Sequence, residues 1–107
     1  MMSERETIPF SGKVWVWTSA KREKEKPVRW FFVTVEGAPA AELKLASMGL
    51  TAGFGSLPVT ARIGATTWRT SVFPHRESGG WLLPLKAAVR KDAGIHEGDE
   101  IEVTLDI

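Results

Sequence analysis

Apolar and polar positions alternate along much of the chain with a period of two, the signature of strands. From Pro9 to Trp17 the alternation puts Val14 and Val16 on one face and Trp15 and Trp17 on the other. Both faces are apolar, so this strand is either covered on both sides or carries an aromatic surface. The run TSAKREKEKP at 18–27 is too charged for a core and predicts an exposed hairpin loop. VRWFFVTV, Val28 to Val35, is a second strand, rich in aromatic and β-branched residues. Between Leu57 and Phe73 the pattern also predicts a register. Gly64-Ala65 fits a two-residue type II′ turn, with glycine at its first central position. Ile63 then faces Thr66, Ala61 faces Trp68, Val59 faces Thr70 and Leu57 faces Val72, all on one side of the ribbon. That side is expected to bury Trp68. Thr60, Arg62, Thr67, Arg69 and Ser71 share the wetter side. WLLPL at 81–85 is a further short strand. The last strand places Ile101, Val103, Leu105 and Ile107 inward and Glu102, Thr104 and Asp106 outward.

The period changes in two places. APAAELKLASMG predicts a short helix, with Pro39 in its first turn, Gly49 at its end, and Ala41, Leu45 and Met48 on the packed face. A second helix is expected to open at Pro84 and run through Ala93, with Gly94 as a left-handed cap and Ile95 folded back towards Val89. HEGD, 96–99, is a tight turn in which Asp99 bonds backbone amides. The elements together predict a mainly β fold, a small six-stranded β-barrel with two short helices.

Composition narrows the function classes. With 107 residues, one domain spanning 9–107 is expected, preceded by a polar, disordered tail at 1–8. Net charge is +1, far from the strong basicity of most nucleic-acid-binding domains. There is no cysteine, which excludes disulfides, zinc–thiolate centres and thiol catalysis. No stretch has the length of a membrane span or the form of a signal core, so a cytoplasmic location and no membrane partner are expected.

Four segments stand out as motifs: Pro58-Val59, Gly64 with Thr66 through Pro74, Leu83 through Gly94, and Gly98-Asp99 onward. With the aromatic strand at 28–35 they make the chain, from about Phe10 to the C-terminus, resemble a family of short, uncharacterised bacterial domains of unknown function. The resemblance implies a double-split β-barrel, a fold grouped near the AbrB/MazE-type transcription regulators. In some proteins such a domain is fused to a YdeI/OmpD-associated, or bacteriocin-protection, domain, for which this chain has no room. The resemblance carries a fold and no reaction.

Candidate chemistry is sparse. His96 sits among Asp92, Glu97, Asp99, Glu100 and Glu102, but Glu100 and Glu102 alternate with inward residues and point to solvent. Metal ligands need to converge, so a structural turn is expected and no metal or other cofactor. Ser71 and His75 lack the elbow, oxyanion hole and orienting acid of a hydrolase. No catalytic residue is assigned, and the chain is read as a non-enzymatic module. Five tryptophans accompany no tyrosine. A small barrel does not hold five indoles, so one or two are expected to line a surface groove with arginines nearby. Arg62, Arg69, Arg90 and Trp81 are the candidate contacts, for an anionic or aromatic small ligand or a protein partner. The alternative is a nucleic-acid binder, by analogy with the regulators, using Lys21, Arg22 and Lys24; interleaved Glu23 and Glu25 weaken that field. A small-molecule enzyme ranks last. Both monomer and homodimer are compatible with the sequence.

Overall fold

The computed structural model describes residues 7–19, 26–48 and 55–107. Among these residues seven strands and two helices follow one another as β1 (Thr7–Lys13), β2 (Trp15–Thr18), β3 (Arg29–Val35), α1 (Gly37–Ser47), β4 (Leu57–Ile63), β5 (Thr66–His75), β6 (Gly80–Pro84), α2 (Ala87–Ala93) and β7 (Glu100–Asp106). All strands join one antiparallel sheet in the order β1-β7-β4-β5-β6-β3-β2. The sheet curls into a half-barrel. Val33, Val35, Leu57, Val59, Ala61, Val72, Leu83, Val103 and Leu105 fill its concave side, each no more than 2% exposed. Among the described residues no helix is long and apolar enough to cross a membrane.

The hairpin register is the one the sequence predicts. Ile63 pairs with Thr66, Ala61 with Trp68, Val59 with Thr70 and Leu57 with Val72. Gly64 has φ 58° and no described residue other than glycine has a positive φ, which rules out type I′ and fits type II′. Trp68 is half-buried where burial was expected. It packs against the core, with its indole nitrogen buried and unpartnered among the described residues. The inward and outward faces of β7 also follow the predicted alternation.

Four expectations change. Six strands become seven because the first one breaks at Val14. Residues with even numbers in β1 direct their backbone groups at β7, and Val14 continues this line: its N–H donates to Asp99 O at 2.9 Å and its carbonyl accepts from Gly98 N at 2.8 Å. The next residue, Trp15, pairs instead with Phe32 of β3. One continuous stretch of chain thus passes from one end of the sheet to the other. Its start also lies earlier than expected, since β1 begins at Thr7 and Ile8 is 1% exposed.

The helices are the other corrections. α1 buries Ala40, Leu43 and Ser47, whereas Ala41 is exposed and Leu45 and Met48 are 68% and 66% exposed. On the buried face the Trp81 indole N–H donates to Ala40 O at 3.2 Å. α2 opens at Ala87 rather than Pro84, because Pro84 pairs with Phe32 and Leu85 N still donates to Phe31 O at 2.9 Å. The chain stays extended through Lys86 before it coils. Gly94 closes α2 in the left-handed conformation, φ 68° and ψ 40°, and Ile95 N–H returns to Arg90 O at 2.9 Å.

Gly80 is where β6 starts against the end of β3. A Cβ there would overlap the Val35 carbonyl oxygen, whereas one at Gly79 would meet nothing. Gly80→Ala should therefore cost about 3 kcal/mol, the upper range of overpacking, and Gly79→Ala about 1 kcal/mol of backbone strain. Urea unfolding midpoints check this; equal midpoints would contradict the close approach. The 96–99 turn has its own test. Asp99 Oδ2 accepts from His96 N at 2.8 Å, and Asp99 N donates to His96 O at 3.1 Å. Asp99→Ala should lower stability by about 1 kcal/mol. Added zinc should leave the melting temperature of the wild type unchanged, as expected of a turn rather than a metal centre.

Candidate functional site

Residues directly opposite each other on paired strands share a face of the sheet. Trp15 lies opposite Phe32, and Trp17 opposite Trp30. Four aromatic rings therefore form a two-by-two block on the convex, outer face of β2 and β3. The same face continues across β6 through Leu82 to Phe73 and His75 of β5. Trp15, Trp17, Trp30, Phe32 and Leu82 line a cleft of about 530 Å³, closed at one side by His75, Arg76 and Glu77. Trp17 is 50% exposed, Trp30 52% and Phe73 44%.

Trp15 forms the floor and is held firmly. Its indole N–H donates to Thr34 Oγ1 at 2.8 Å, and its ring meets Phe32 at 5.2 Å between centroids with a 38° tilt. The His75 ring lies 6.2 Å away. His75 Nδ1 is 2.8 Å from Ser78 Oγ, and its Nε2 is 3.6 Å from Glu77 Oε1, so the ring's orientation is set from the β5–β6 turn. Among the described residues no carboxylate pairs with Arg76. The arrangement offers flat rings a stacking surface and an anionic substituent a guanidinium at the rim. It offers no nucleophile activated by a base. Ser71 and His75 do share the outer face of β5, but four residues of strand separate them by roughly 13 Å.

The residues nominated from sequence fall in three places. Arg62 and Arg69 lie together on the outer face of the β4–β5 hairpin, where Arg62 Nη1 is 3.8 Å from Asp106 Oδ2. They share that face with the aromatic cleft, but six residues of β5 separate Arg69 from His75, roughly 20 Å. Arg90 belongs to α2. Its guanidinium stacks 3.7 Å from the centroid of Phe31, and its Nε donates to Leu85 O at 3.1 Å. Trp81 is 7% exposed and its N–H is engaged by α1, so it serves the core. Lys21, Arg22 and Lys24 lie outside the described residues. Arg29, beside that segment, pairs with Glu97 at 3.2 Å.

Sequence reasoning anticipated surface tryptophans with an arginine nearby but selected other residues. Period-two alternation already put Trp15 with Trp17, and a strand over 28–35 implies a shared face for Trp30 and Phe32 as well. What it lacked was the register between the two strands, which sits across a long charged connection. His75 was weighed only as a base, and Arg76 was not weighed. The His96 cluster resolves as a turn: the His96 side chain is 82% exposed and 3.7 Å from the Asp99 carboxylate. Among the described residues no group of three or more histidines and carboxylates converges.

Comparisons with curated proteins and with solved structures find no match. From residue 10 to residue 105, however, the chain fits the model of a domain of unknown function, DUF1905, and it belongs to that family.

Proposed function

We propose that the protein is a non-enzymatic binding module whose outer-face cleft takes a flat aromatic ligand bearing an anionic group. The observation that carries this reading is the block formed by Trp15, Trp17, Trp30 and Phe32, half of it open to solvent beside Arg76. Scattered surface aromatics are ordinary, whereas a contiguous aromatic patch marks an interaction site. A rigid floor supports the same reading, because stacking against a fixed ring loses little conformational entropy on binding. Arg62 and Arg69 form a second polar patch on the same face, available to a larger partner.

A nucleic-acid ligand is the second reading, favoured by the same block. Aromatic rings on an exposed sheet face are how several single-strand binders stack successive bases. The net charge of +1 weighs against it. The two readings differ in salt dependence and in the length of ligand required.

Intrinsic tryptophan fluorescence tests both, with adenosine monophosphate, an aromatic carboxylate and a short single-stranded oligonucleotide as probes. Saturable quenching by a small probe is expected, with affinity falling about 5- to 150-fold on Trp17→Ala or Trp30→Ala, the equivalent of about 1–3 kcal/mol per stacked ring. Arg76→Ala should weaken the anionic probes more than an uncharged ring. Binding confined to the oligonucleotide, steeply lost with salt and with neutralisation of Lys21, Arg22 and Lys24, would move the assignment to the second reading. No quenching at millimolar probe would end the ligand reading.

A further inference from the structure

Among the described residues the sheet has two free edges, and they differ. In the β2–β3 ladder Ser19 N donates to Val28 O at 3.0 Å, in register with the pairs Trp17–Trp30 and Trp15–Phe32. Backbone groups alternate sides along a strand, so Trp15, Trp17 and Ser19 point theirs at β3. Val16 and Thr18 point theirs away, to the open edge. Val14 points the same way, but its groups are taken by the Gly98–Asp99 turn. The open stretch therefore begins just past that turn. At the other edge of the sheet, Pro9 of β1 stands where the backbone faces outward, removing a donor and blunting the edge. β2 reads Trp-Val-Trp-Thr, with neither a proline nor a charge.

We propose that a second copy of this chain pairs with the β2 edge, joining two sheets across a two-fold axis at Trp17. The turn on Val14 bounds the open edge at one end, because an incoming antiparallel strand cannot pass it, and among the described residues the pairing with β3 runs on to Ser19. A mate laid over residues 15–19 of each copy is centred on Trp17. In this register Val16 exchanges both of its hydrogen bonds with Thr18 of the second copy, and Thr18 with Val16. Trp17 then meets its own symmetry mate as a non-hydrogen-bonded pair, with Cα atoms about 4.5 Å apart. The match is self-complementary, as a two-fold interface requires. It covers Trp17, one of the most exposed large apolar side chains in the described structure. The two aromatic clefts come side by side on one continuous outer face. A strand of this length gives an interface below about 1,200 Å², so association in the micromolar range is expected. The argument rests on backbone groups and is independent of what the cleft binds.

Light scattering over a concentration series up to several hundred micromolar should show the mass rising towards twice the 11.8 kDa of the chain. Thr18→Pro deletes a donor that points only outward, so it should keep the monomer's circular dichroism and abolish the rise. Because the chain has no cysteine, single substitutions then map the axis. Trp17→Cys should cross-link to itself under mild oxidation, since facing residues lie within disulfide reach, and Thr18→Cys should not, being offset by two positions from its own mate. A wild-type mass that stays monomeric, a dimer that survives Thr18→Pro, or cross-linking no better at 17 than at 18 would each overturn the proposal.

Discussion

Val14 is the residue at which one stretch of chain stops belonging to one end of the sheet and starts belonging to the other. Its N–H and carbonyl have to be satisfied, because the residue is 1% exposed and buried backbone groups rarely go unpaired. The 96–99 turn supplies both partners, Asp99 O and Gly98 N. The turn in turn is held by the Asp99 carboxylate on His96 N. This small circuit of hydrogen bonds permits the sheet to curl. It also needs room: a Cβ at Gly12, two residues earlier, would come within 2.8 Å of Val33 Cγ2, so the absent side chain lets the first strand cross close over β3. The most acidic stretch of the sequence thus does structural work, while its charges stay in water.

The same crossing decides where the tryptophans go. Odd-numbered residues keep to the convex face through the switch, so Trp15 and Trp17 emerge outward next to β3 once the strand leaves β7. β3 meets them with Trp30 and Phe32 because its own alternation reserves Phe31, Val33 and Val35 for the concave face. Phe31 shows the consequence. It lies at the margin of the core, and Arg29 and Arg90 cover its ring at 5.2 and 3.7 Å from the centroid. Such cation–ring contacts are worth about 0.5–1 kcal/mol at exposed sites. Arginine thus seals the inner margin of the sheet at this end, whereas the outer face at the same end is left aromatic and open.

How much of this was legible in the sequence depends on whether the pattern had one solution. The β4–β5 hairpin had one, because a two-residue turn leaves no freedom in register and a slip by one would expose its apolar side. The last strand was equally unambiguous. The break at Val14 was not legible, since a segment apolar on both faces alternates identically whether it pairs with one neighbour or two. The face of α1 was misassigned for a related reason. Ala40, Leu43 and Ser47 recur at helical spacing as plausibly as Ala41, Leu45 and Met48; the fold turns the first set inward, with Leu43 fully buried and Ala40 O accepting from Trp81. The start of α2 was misjudged because a proline suits a helix's first turn and the end of a strand alike, and beyond Leu82 β6 no longer pairs with β5. For the candidate site, the surplus of tryptophans was visible and their allocation was not. Trp81 went to the core, Trp68 to its margin, and Trp15, Trp17 and Trp30 to the outer face, where Trp15 is half-buried.

The convex face is the part of the molecule whose composition the fold does not explain. Along β5 it passes from Arg69 and Ser71 to Phe73 and His75, polar at the hairpin and apolar towards β6 and β2. On β4 and β7 it carries Thr60, Arg62, Thr104 and Asp106, the pairing partners expected of a sheet face in water. If solubility alone had shaped this face, the polar pattern would continue across β3 and β2. Trp17, Trp30 and Phe73, each about half exposed, break it within a single contiguous region. Burying such rings would be favourable by roughly 1.5–3 kcal/mol for each large apolar side chain. The core is already closed without them, by residues on the opposite side of the same strands. Among the described residues, packing does not account for those rings at the surface; a bound ligand, as proposed above, would.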